Sequence, residues 1–186
     1  MNSAKKIMLF VLTLAFFVPA KSQDIYLSSN STVSFFSETP VENIDAVSNQ
    51  VIGAVNVKTK SVYFKATMTT FAFKKSLMQA HFNENYMESE KYPTATFNGI
   101  INDSVDLTKD GTYNVTVTGK LKMHGVEQPR TIPGTIIVKA GSLDVTSEFD
   151  VKVADHDIKI PTVVIKNIAE VVKVKVHAVM SPTTNK

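Results

Sequence analysis

The 186-residue chain contains no cysteine. That absence excludes a disulfide framework, a cysteine metal site, a thiol nucleophile and the acylated cysteine that anchors a bacterial lipoprotein. Familiar catalytic signatures are missing as well: no G-x-S-x-G, H-E-x-x-H, P-loop or G-x-G-x-x-G occurs. Charge of one sign is also lacking. The formal +3 comes from Lys5, Lys6 and Lys21, without which 17 basic residues face 17 acidic ones. A neutral body does not hold a polyanion, so nucleic acid is excluded as a partner. Beyond the N-terminal segment no run is long and apolar enough to span a bilayer, which takes ~20 residues. Stable membrane insertion of the mature chain is therefore not expected.

What the chain does have is apolar bulk. Hydrophobic residues make up 44% and charged residues 20%, a globular rather than a disordered balance. Its start reads as a secretory signal. Lys5-Lys6 is a positive region, Ile7 to Val18 an apolar run, and Ala20-Lys21-Ser22 a small-residue cleavage site. Residues 1–22 are the expected signal peptide, cut after Ser22 or nearby, and 23–186 one domain of a periplasmic or secreted protein.

Period-2 alternation dominates that domain. From Thr112 to His124, Tyr113, Val115, Val117, Gly119, Leu121 and Met123 share one face, and polar residues share the other. Leu143–Val153, Val172–Met180 and Val62–Thr69 repeat the pattern. Weaker strands fit Val33–Glu38, Gln50–Lys58, Thr94–Ile101 and Ile132–Lys139. Turn residues stand between several of them, such as Lys109-Asp110-Gly111 and Ala140-Gly141-Ser142. About eight antiparallel strands with short turns close into a barrel or stack as a sandwich, and long one-sided strands favour closure. Lys74 to Glu90 breaks the alternation. Leu77, Met78, His81, Phe82 and Met87 form a helical stripe, with Ser76 a candidate cap and Tyr92-Pro93 a stop.

An eight-stranded barrel either fills with its own side chains or holds one small ligand, and alternation alone leaves both open. The inward candidates are Phe35, Phe64, Met68, Phe71, Phe73, Phe97, Met123 and Phe149. The four histidines carry little chemistry. His124 and His177 fall on wet strand faces, and His156 lies in an Asp-His-Asp loop. On a helix, His81, Glu84 and Glu88 would share a face, which keeps a metal-dependent hydrolase or isomerase as an alternative. A filled-core exported scaffold protein is the other alternative.

Specific residues narrow the choice. Ser76 to Pro93, followed by Ala95-Thr96-Phe97, resembles the YceI-like family, in which a loop-helix segment leads into "yP-x-x-x-F", here Tyr92, Pro93 and Phe97. Gly119 to Val126 resembles that family's "G-x-L-x-x-x-G-V", followed by Pro129-Arg130-Thr131. Phe149 and Asp157 to Pro161 fit its late strands. The resemblance spans about residues 24 to 180. It implies an all-β fold: an eight-stranded antiparallel lipocalin-like barrel with a short helix in one long connection, in a bacterial exported protein. It further implies an apolar long-chain ligand inside, such as a polyisoprenoid, an isoprenoid quinone or a fatty-acid-like amphiphile. Transport, storage or sequestration is the implied role, with no catalytic residue, metal or cofactor beyond that bound lipid or isoprenoid. A homodimer is left open. Met78, His81, Phe82, Asn83, Asn85 and Tyr86 are proposed, by position, for the mouth.

Overall fold

Side chains that alternate must face two environments, and in this chain the two are the inside and the outside of a ring. The computed structural model describes residues 24–38, 43–160 and 169–183. The expected signal segment and Pro161 lie outside the described residues. The strands are β1 (Ile25–Ser37), β2 (Ile44–Asn56), β3 (Ser61–Thr67), β4 (Ala72–Phe73), β5 (Thr94–Ile101), β6 (Gly111–Met123), β7 (Val126–Lys139), β8 (Ser142–Lys152) and β9 (Val171–Pro182). All pairings are antiparallel. The order β1-β9-β8-β7-β6-β5-β3-β2 closes through pairing of β1 with β2, and the two-residue β4 adds to β2. The expected eight-stranded antiparallel barrel is thus present.

Three strands run longer than alternation indicates: β7 starts at Val126 rather than Ile132, and β1 and β2 start at Ile25 and Ile44 rather than at Val33 and Gln50. In β1 the buried residues are Tyr26 and Ser28, then Ser31 and Ser37; in β2 they are Ala46 and Ser48, then Val51, Gly53 and Val55. Both sets skip a beat at the same place, where the β1–β2 register shifts between Ser28, Ser31 and Val33. A bulge adds a residue, inverts the phase and tightens the twist. The period-2 pattern is therefore broken mid-strand, which hides Ile25–Thr32 and Ile44–Asn49 from it.

The barrel interior has two halves. At the end carrying the β2–β3, β5–β6 and β7–β8 connections, the strands fill their own lumen. Tyr26, Val55, Val62, Val117, Ile136, Leu143, Ala178 and Met180 are buried together, and Leu107 from the β5–β6 connection plugs the opening. Close packing here relies on two glycines. A side chain on Gly53 would sit 2.7 Å from Met180 Cε, and one on Gly119 would collide with the Asn98 carbonyl oxygen across the β5–β6 pair. The opposite end carries the long connections, Met68–Pro93 and Val153–Glu170, and does not fill.

Candidate functional site

The unfilled half is a cavity of about 530 Å³. That lies within the roughly 300–1,000 Å³ of small-molecule sites. All eight inward candidates line it: Phe35, Phe64, Met68, Phe71, Phe73, Phe97, Met123 and Phe149. Aliphatic side chains complete the wall, among them Val33, Val51, Ala66, Leu121, Val151, Val174 and Val176. These follow from the same alternation, but a valine has no special look in sequence. Leu77, Met87, Ile158 and Ile160 come from the long connections, where no strand pattern marks them. Phe64 packs against both the filled core and the cavity cluster, Phe97 packs against the filled core and lines the cavity, and the two form its floor.

One long connection covers the mouth. After β4 the chain forms α1 (Ser76–His81) and then a π-helical turn, Phe82–Tyr86. Ser76 does not cap α1; Lys75 takes the cap position and no side chain bonds there. Apolar contact holds the segment down instead. Phe82 packs on Phe35, Phe71 and Phe73 with ring centroids 5.6, 5.8 and 5.0 Å away. Aromatic pairs at such separations contribute ~0.5–1.5 kcal/mol beyond burial.

A polar clasp closes the other side. Glu88 leaves the helix with φ of 43°, and its carboxylate lies 2.8 Å from His124 Nε2. His124 Nδ1 lies 3.0 Å from the His156 carbonyl, and the Tyr92 ring meets the imidazole edge-on at 4.5 Å. His124 therefore sits in the β6–β7 turn with its side chain only 9% exposed, not on a wet strand face as alternation suggests. The turn ends the strand one residue early and folds the ring inward. His177 does lie outside, 3.0 Å from Asp144.

The wall between β7 and β8 needs its own seal. These strands pair only from Thr135 to Lys139. Toward the mouth they separate, and the 3-10 turn Val153–His156 fills the gap. Gln128 and Arg130 donate to the Asp155 carbonyl and carboxylate, at 2.8 and 2.9 Å. His156 is fully buried, with Nδ1 donating to the Val126 carbonyl at 3.2 Å. Burial holds its pKa below the ordinary imidazole value, and the neighbouring Arg130 pushes the same way.

Of the six mouth candidates, Met78, His81, Phe82 and Tyr86 line the cavity. Asn83 and Asn85 do not. Asn83 donates to the Gln79 carbonyl and accepts from Ser89 Oγ, so it staples its own segment; Asn85 is exposed. The metal alternative also loses its geometry. His81 is exposed at the cavity rim, Glu84 is exposed and lines no part of it, and Glu88 has turned away to His124. Among the described residues no group of three His, Asp or Glu is placed to share an ion. The filled-core alternative describes one half of the lumen only.

Comparison with known proteins agrees with this architecture. A family model described as the YceI-like domain matches residues 26–180. The chain belongs to the YceI-like family. No curated protein matches it. Among solved structures, the YceI-like chain is similar to a polyisoprenoid binding domain from Saccharophagus degradans implicated in plant cell wall breakdown. The TM-score is 0.73 at 15% identity, covering 87% of this chain and 99% of that one. Burkholderia cenocepacia BcnA gives a TM-score of 0.69 at 19% identity, with 80% and 95% covered. A Campylobacter jejuni YCEI protein gives 0.57 at 11%, with 98% and 100% covered. At such identities the likeness is one of fold. No helix among the described residues is long and apolar enough to cross a membrane.

Proposed function

We propose that this YceI-like chain is a non-enzymatic binding protein that holds a long-chain apolar ligand in the open half of its barrel. The cargo is a polyisoprenoid, an isoprenoid quinone or a fatty-acid-like amphiphile, carried, stored or sequestered in the periplasm or outside a bacterial cell. The observation that carries the reading is the 530 Å³ apolar cavity, floored by Phe64 and Phe97 and covered by the 76–87 segment. The S. degradans domain, described as polyisoprenoid binding, supports it. The export signal read at Lys5–Ser22 supports the location.

Each methylene moved from water into such a lining contributes ~0.8 kcal/mol, so ten give ~8 kcal/mol before ordering costs. Contact of this kind selects for length and width more than for chemical detail. Native mass spectrometry of protein purified without detergent tests the reading. A co-purified apolar mass, or uptake of a long-chain prenol by stripped protein, is the expected result. Protein that arrives empty and takes up no long-chain compound would refute it.

A further inference from the structure

The cavity lining is apolar with few exceptions, and those differ in kind. Ser37 Oγ accepts a bond from the Ala169 amide at 3.0 Å. Thr96 stands in register with Lys65 and Lys122, on the outward set of β5. Lys75 stands at the rim with interactions of its own, and no carboxylate lines the cavity among the described residues. His81 and Tyr86 remain. Both line the cavity, and among the described residues neither imidazole nor phenol has a hydrogen-bond partner.

Their placement has a backbone cause. In an α-helix, residues five apart lie about 140° apart around the axis, at about 100° per residue. Here the Met87 amide donates to the Phe82 carbonyl at 2.8 Å, an i to i+5 bond. Such a π-turn widens the helix and brings residues five apart nearly into line. Tyr86, half-buried, thereby turns to the cavity that His81, exposed at the rim, also lines, so two donors stand at its mouth. Desolvation raises the Tyr86 pKa, which keeps its hydroxyl a donor.

We propose that His81 and Tyr86 form a headgroup site for an amphiphile ending in an oxyanion, a carboxylate or a phosphate, whose tail fills the cavity. The proposal rests on the binding reading above and adds a chemical class to it. An oxyanion accepts from both donors, and hydrogen bonds to a charged acceptor are roughly twice as strong as neutral ones. Among the described residues the lining sets no carboxylate against it. A ketone or an alcohol would use the same donors without the gain that a charged acceptor brings.

The test is a displacement titration on stripped full-length protein with a long-chain fatty acid, a prenyl monophosphate and the alcohol of each. Wild type is expected to hold at least one acid about tenfold tighter than its alcohol, and the two arms tell carboxylate from phosphate. Tyr86→Phe combined with His81→Leu, which removes both donors, is expected to bring that ratio to within about twofold. Reading the ratio makes the alcohol an internal control for fold. Equal affinity for acid and alcohol in wild type, or a ratio unmoved by the double variant, overturns the headgroup site and leaves the cavity reading standing. Failure to hold any of the four compounds overturns both.

Discussion

Alanine occurs on the inward face of both halves of the lumen, so one substitution can be made in each. Ala66 lines the cavity and Ala178 lies in the filled core at 1% exposure. A benzene-sized ring needs on the order of 150 Å³, which is roughly a quarter of the 530 Å³ available beside Ala66. Ala66→Phe is therefore expected to fold with stability within ~1 kcal/mol of wild type, because its ring enters space that no side chain holds. Ala178→Phe has no such space and is expected to lose ~1–3 kcal/mol by overpacking. At roughly 2–4 °C per kcal/mol that is several degrees in Tm. Binding should respond in reverse. If the new ring at 66 displaces only three methylenes of a guest, the loss is ~2.4 kcal/mol, or about sixtyfold in Kd. Thermal melts of stripped protein and titration with a fluorescent long-chain polyene read the two effects, and the chain has no tryptophan to interfere. The reasoning fails if Ala66→Phe melts as low as Ala178→Phe while binding the polyene as wild type does.

Other outcomes follow from single contacts. Phe82→Ala, which empties the centre of the four-phenylalanine cluster, should cost about 2 kcal/mol, below the ~3–5 kcal/mol of a fully buried Phe; faster hydrogen exchange over 76–87 and faster guest release would show it. Gly119→Ala should destabilise by more than about 2 kcal/mol in urea titration, since the new methyl meets the Asn98 carbonyl oxygen and part of β5 must move. His156 is held neutral by burial, so its contribution is complete above the ordinary value of 6.5 and is lost as pH falls through its lower folded value. Wild-type stability should therefore fall more steeply than that of His156→Gln on acidification below about 6.5, and parallel curves for the two proteins would contradict the burial argument.

Sequence reading succeeded where one rule governs a whole element. β6 keeps a single phase from Tyr113 to Met123, so its inward set is read directly, and all eight large inward residues do reach the cavity. It failed where a second rule intervenes. The paired bulge in β1 and β2 inverts the phase, so half of each strand was invisible. Glu88 looks like a helix-face carboxylate only while the helix is taken to continue; the π-turn and a left-handed residue send it to His124. The same turn brings Tyr86 round to His81, which helical spacing alone would have kept apart. That Asn83 bonds its own segment while Tyr86 faces the lumen depends on the backbone, and two polar residues three apart give no hint of it.

The plugged end of the lumen has a bearing on how such a molecule works through repeated cycles. Leu107, Leu143 and Met180 belong to a nucleus built wholly from the polypeptide's own side chains. On the binding reading proposed above, loading and discharge would engage the roof alone, and the vessel would neither collapse when emptied nor wait for a passenger before taking shape.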